Sequence, residues 1–271
     1  MEADAHSKIN SGLKLLSLYL KRIAHSGKDC VQLNEDSINK IKSLKGLIKS
    51  QSQIDPNLIN KKSNSEASAL NSIKENVSTS KGLRKLGTLR EKIVFSSGNA
   101  NADIMFIGEA PGREEEIQGL PFVGPSGQLL TKIIQAMGMK REDVYISNIV
   151  KFRPMIEGKS QGASNRKPTI NEMELSLPFI FEEINVVRPR IIIALGGTAM
   201  QGLLKINGTL SSARGNVYDV QGTKAIVTYH PSFLLRSKKP NQDKRKLWKD
   251  MMLVMEILNI PITEKQRNYF K

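Results

Sequence analysis

Residues 189–196 read PRIIIALG. Ile191 to Leu195 form an unbroken apolar run between a Pro-Arg start and a glycine. A strand without polar alternation has a covering layer on both faces, as in a parallel sheet flanked by helices. The flanks carry the matching helical patterns. PTINEMELSLPFIFEEINVV (168–187) is a long helix with Pro168 just before its start, and GTAMQGLLK (197–205) is a second helix. Further out, ADIMFIG (102–108), DVYISNIV (143–150) and KAIVTYH (224–230) are three more strands. GQLLTKIIQAMG (127–138) and KRKLWKDMMLVMEIL (244–258) are helices, with Trp248, Met252 and Met255 spaced for the core. Strand and helix alternate, which predicts an α/β fold on a mainly parallel sheet of four strands. In such a sheet the ligand site lies beyond the carboxyl ends of the strands.

Composition narrows the classes. The chain has 271 residues, 39% apolar and 25% charged, the balance of a soluble globular protein. Its net charge is +15 and its isoelectric point about 9.8. A surplus of that size points to a polyanionic partner, most simply nucleic acid, or to a Lys-rich solvated surface. Cys30 is the only cysteine, which excludes a disulfide framework and an all-cysteine metal or cluster site. The histidines are His6, His25 and His230, too few for an ordinary zinc site. There is no run of eighteen apolar residues and no presequence pattern, so a membrane-free, cytoplasmic protein is expected.

The chain divides near residue 80. Leu13, Leu16, Leu20 and Ile23 fall at helical spacing, and a second helix is expected between Ile38 and Ile48. Residues 1–48 therefore read as a helical extension. Residues 49–80, which include SQSQIDPNLINKKSNSEASALNS, read as a polar, disordered linker. Residues 81–271 hold the α/β domain and carry +11 of the net charge.

Three strand exits offer chemistry. The first runs into GEAPGREEE (108–116), the second ends in Ser147 and Asn148, and the fourth ends in His230, Pro231 and Ser232. A carboxylate-rich loop, a bidentate amide and an imidazole converge there. The loop lacks the spacing of a phosphate loop, and no G-x-G-x-x-G occurs. Glu114, Glu115 and Glu116 serve equally as site carboxylates or as a solvated helix start. Phe122, in GLPFVGPSG (119–127), is either a stacking platform for a base or a loop residue capping the core.

Together GEAPGREEEIQGLPFVGPSGQLL, VYISNIVKFRP with NRKPTINEM, IIIALGG and YHPSFLLR resemble the uracil-DNA glycosylase superfamily, family 4, over roughly residues 81–259. The resemblance implies a three-layer α/β/α sandwich around a four-stranded sheet. It also implies hydrolysis of the N-glycosidic bond of deoxyuridine in DNA, releasing uracil and leaving an abasic site. Glu109 and Glu115 would organise water. Phe122 would stack on the flipped base, with Gly108 and Ala110 beside it. Asn148 would read the uracil edge and His230 would face uracil O2. Leu234, Leu235 and Arg236 would form the loop that enters the duplex, with Ser232 a DNA-binding residue beside it. Separately, the net charge of +6 over residues 230–271 points to phosphate contacts by Lys238 and Lys239.

The departures carry their own expectations. Family 4 holds an iron–sulfur cluster on four cysteines. At the corresponding places this chain has Lys81, Arg84, Phe152 and Ser176, so no cofactor and no metal are expected. The segment Met155–Ser164 is an insertion without histidine, so no covalent crosslink to DNA is expected. The expected protein is a monomer acting on single- or double-stranded uracil-containing DNA in the bacterial cytoplasm. The rival expectations are a non-catalytic DNA-binding relative and a glycosylase for another base, such as hypoxanthine.

Overall fold

The computed structural model describes residues 56–158, 161–206 and 208–270. The helices expected around Leu13–Ile23 and between Ile38 and Ile48 lie outside the described residues. The chain divides into a unit ending at Ile59 and a unit from Asn60 to Lys271, and the sheet belongs to the second.

Helix α1 (Pro56–Thr79) stands where the composition points to a polar linker over 49–80. The physical reason is spacing. Leu70, Ile73 and Val77 lie three and four residues apart and bury as one stripe. Few apolar residues suffice when all of them share a face. Ser80 then caps the short α2 (Lys81–Lys85) by accepting the Leu83 N–H.

The remaining elements follow in chain order: β1 (Leu89–Ile93), β2 (Ser96–Gly98), β3 (Ile104–Gly108), α3 (Arg113–Gln118), α4 (Pro125–Ala136), β4 (Tyr145–Asn148), β5 (Phe152–Pro154), α5 (Ile170–Val187), β6 (Ile191–Leu195), α6 (Gly196–Leu204), α7 (Leu210–Ala213), β7 (Val217–Val220), β8 (Thr223–Thr228), α8 (Pro231–Arg236), α9 (Pro240–Leu258) and α10 (Glu264–Arg267). The main sheet runs β2-β4-β3-β6-β8-β7. Its four middle strands are parallel, as expected. Two short antiparallel edge strands extend it to six. Neither edge has a long apolar run. β7 joins β8 through Gln221 and Gly222, both at positive φ, the backbone of a tight hairpin turn.

Alternation along β3 divides the core. Met105 and Ile107 face the layer of α1, α5 and α6, with Ile192, Ala194 and Val227. Ile104 and Phe106 face the layer of α4 and α9, with Leu130, Ile134, Trp248, Met251 and Met255. The result is a helix–sheet–helix sandwich whose parallel strands all exit on one side.

A separate two-stranded sheet, β1 with β5, ties the segment before β3 to the segment after β4. Phe152 is its anchor. The ring is 2% exposed, lies in one cluster with Leu83, and has Leu86 and Leu89 packed against that cluster. The Arg84 guanidinium stands 5.1 Å from the ring centre. From α5, Ser176 donates to the Glu172 carbonyl at 2.7 Å and so buries without an idle hydroxyl. Phe152→Ala is expected to lower unfolding stability by about 3–5 kcal/mol, read as a lower denaturant midpoint at unchanged slope.

Candidate active site

The site begins where β3 and β4 leave the sheet. The Ile149 N–H donates to the Gly108 carbonyl at 3.0 Å, and the Val150 N–H to the Glu109 carbonyl at 3.1 Å. These bonds hold the two strand exits together and bring Asn148 beside Gly108. A side chain at 108 would collide with both Asn148 Oδ1 and the Phe122 ring. Glycine here is a requirement of close approach, because the amide and the ring meet over its bare Cα.

Asn148 is buried, yet its Oδ1 accepts no hydrogen bond from any described residue. A buried amide oxygen without a partner is expensive unless a ligand completes it. Phe122 forms the neighbouring wall. It is buried at φ +53°, a conformation rare outside glycine. Two contacts enforce it. Gly127 leaves room for the Phe122 carbonyl, and Glu115 Oε1 accepts the N–H groups of Val123 and Gly124 at 3.0 and 2.9 Å. Glu115 therefore holds the aromatic loop in place.

His230 stands against the Phe122 wall, its ring centre 5.5 Å from that of Phe122 at a 31° tilt. It caps α8, with Nδ1 accepting the Ser232 N–H at 3.1 Å and Ser232 Oγ 2.8 Å away. An accepting Nδ1 leaves the ring proton on Nε2. Burial, then the Arg236 cation, push the imidazole down to about 4, against the opposing pull of Glu115. The ring is thus a neutral N–H donor at physiological pH.

Glu109, the first residue past β3 and partly buried, accepts from the Thr198 hydroxyl. Ala110 is half-buried beside it. Glu116 accepts from Arg90 and from the buried Arg153, which also binds Asn165 and the carbonyls of Gly162 and Ser164. The insertion is thereby anchored to α3.

Of the residues singled out in the sequence, Gly108, Phe122, Asn148 and His230 converge, and Glu109 and Glu115 flank them. Ser232 directs both its amide and its hydroxyl to His230. Leu234 requires a correction. It is 4% exposed and part of the core, because the turn of α8 points it inward, so it cannot enter a duplex from this position. Leu235 at 52% and Phe233 at 42% are the exposed apolar residues of that turn. Arg236, Lys238 and Lys239 are exposed beyond it. Sequence reasoning missed Thr198, whose only signal is its place in the first turn of the helix following an apolar strand. It also missed Phe233. Among the described residues no cluster of His, Cys, Asp and Glu is arranged to hold a metal.

A parallel sheet with a carboxylate, an aromatic ring, a buried amide and a neutral imidazole at its strand exits defines a class, and residues 95–252 match the model of the uracil-DNA glycosylase superfamily. The chain belongs to that superfamily. It is 40% identical to the type-4 uracil-DNA glycosylase of Thermotoga maritima over 55% of this chain and 74% of that one. The type-4 uracil-DNA glycosylase of Saccharolobus solfataricus is 42% identical over 56% of this chain and 70% of its own. That of Archaeoglobus fulgidus is 39% identical, over 51% and 69%.

Proposed function

We propose that this chain is a monofunctional uracil-DNA glycosylase of the type-4 kind that works without an iron–sulfur cluster. The observation that carries the reading is the buried Asn148 Oδ1, without a partner among the described residues, beside an aromatic wall and a neutral Nε2–H donor. Uracil offers what these groups lack. Its N3–H donates to Oδ1, its O4 accepts from the Asn148 amide N–H, its face stacks on Phe122 and its O2 accepts from His230. Cytosine reverses the first two and leaves buried groups unpaired, at about 1–3 kcal/mol each.

The reaction breaks the bond between C1′ and N1. Positive charge develops on the sugar and negative charge on the departing uracil. His230 stabilises that anion as a fixed donor, the role of an oxyanion-hole group. Glu109, held by Thr198, orients water toward C1′ and opposes the sugar charge in this reading. Glu115 acts on the loop that carries Phe122. A base must leave the duplex first, at a few kcal/mol. Leu235 supplies the apolar wedge for the vacated space, and Phe233 extends it.

The cluster of the resembled family does not fit this donor set. Its four thiolate positions are held by Lys81, Arg84, Phe152 and Ser176, and the Phe152 ring fills its place under Arg84. The purified protein is expected to be colourless; stoichiometric iron with visible absorbance would refute this. We take the acting form to be a monomer. Among the described residues no helix is long and apolar enough to cross a membrane.

The decisive assay is release of free base from single-stranded and duplex oligonucleotides bearing uracil, thymine or hypoxanthine. Release of uracil alone supports the reading. No release means a DNA-binding relative, and release of hypoxanthine alone means another substrate. Binding is expected to weaken steeply with salt, each phosphate contact adding about −0.9 to the log–log slope. Lys238→Glu with Lys239→Glu is expected to reduce both affinity and slope. An unchanged slope would place the phosphate path elsewhere.

A further inference from the structure

Behind Asn148 lies a buried charge pair. Lys151 follows β4 and Glu183 stands on α5; both are almost wholly shielded from solvent and they form an ion pair. Burial pushes the lysine down and the glutamate up, while each charge opposes the other's shift. The ammonium has three N–H groups. Besides Glu183, it meets Ser147 Oγ at 2.6 Å and the Asn148 backbone carbonyl at 2.7 Å. Glu183 in turn accepts from Tyr145 Oη and Ser147 Oγ, both at 2.9 Å. The Phe95 ring lies 5.4 Å from Nζ and closes another side. Three of the four β4 residues are thus joined in one polar network.

A buried ion pair is a poor way to gain stability, since apolar residues of similar shape commonly do as well. Position is what this one supplies. The Asn148–Ile149 peptide is held on one side by the Ile149 N–H on the Gly108 carbonyl, and the ammonium holds its other side through the Asn148 carbonyl. The orientation of that peptide sets the direction of the side chain, and an amide that distinguishes donor from acceptor must be aimed within about 0.5 Å and 10–20°.

We propose that Lys151, held by Glu183, is a positioning residue for base recognition: it pins the Asn148 backbone and thereby aims the amide at the uracil edge. This rests on the reading of Asn148 as the group that meets uracil.

The test separates position from stability. Lys151→Met alone leaves a bare buried carboxylate and is expected to be strongly destabilised. The paired variant Lys151→Met with Glu183→Gln removes both charges, and the glutamine oxygen still accepts from Tyr145 and Ser147. Its unfolding midpoint is expected to recover. Its single-turnover uracil release is expected to stay at least tenfold below wild type, with unchanged affinity for an undamaged duplex. A rate that recovers together with stability overturns the proposal. Ser147→Ala, which removes one of the three acceptors around the ammonium, decides the matter if the paired variant does not fold: a several-fold slower release supports the proposal and a wild-type rate overturns it. A wild-type protein that releases no uracil overturns instead the reading of Asn148 on which the proposal depends.

Discussion

His230→Ala is expected to slow uracil release by about 10²–10³-fold in single-turnover assays, the loss typical of one anion-stabilising donor. Affinity for undamaged DNA is expected to be unchanged, because on the proposed reading the ring acts on the departing base and not on the backbone. The pH dependence follows from the same geometry. With Nδ1 accepting the Ser232 amide, a second proton has no place to go until that bond breaks. Release by the wild type is expected to show no inflection near 6.5 and to fall only as the pH approaches 4. Stability follows with a defined sign. The folded imidazole titrates near 4, below the ordinary value of 6.5, so between those limits the unfolded chain binds more protons. The stabilisation is complete above about pH 6.5 and is lost progressively as pH falls toward 4. His230→Ala is expected to flatten that part of the stability profile. An inflection near 6.5 in the wild-type rate would disprove the neutral-donor assignment.

Asn148→Asp is expected to reduce uracil release by about 10²–10⁴-fold, from one donor lost and one carboxylate turned against O4, each at about 1–3 kcal/mol. The shape of the site is conserved in this variant, so steric loss is not in play. Phe122 is expected still to stack and His230 still to donate. The loss is expected mainly in productive base binding: a duplex with a non-hydrolysable deoxyuridine analogue should lose its advantage over an undamaged duplex. Retention of that advantage in Asn148→Asp would show that the amide does not read the base.

Much of this site was legible in the sequence because its parts lie at strand exits. PRIIIALG and ADIMFIG are apolar without alternation, and only a doubly covered strand satisfies that. Once the strands are placed, Gly108, Asn148 and His230 fall at one edge by topology. The rest depends on contacts that no local pattern carries. Phe122 is aimed by Glu115 through the amides of Val123 and Gly124, an arrangement visible only once both loops are in place. The inward turn of Leu234 depends on where α8 begins, a matter of one residue. The edge strands β2 and β7 are short and polar, and neighbouring strands, not propensity, make them strands. In α1 three apolar residues were diluted by a polar composition. Their common face, not their number, decides the helix.

Phe152 under the Arg84 guanidinium has a consequence in temperature. A seam closed by metal–thiolate bonds answers to chelators and to oxidation of its ligands. A seam closed by an aromatic ring and three leucines answers to the heat capacity of apolar hydration. Its hold is expected to weaken on cooling and in urea and to be indifferent to EDTA. The pairing of β1 with β5 is then expected to loosen in the cold ahead of the main sheet, exposing amides such as Val94 to hydrogen exchange while those of β3 and β6 remain protected.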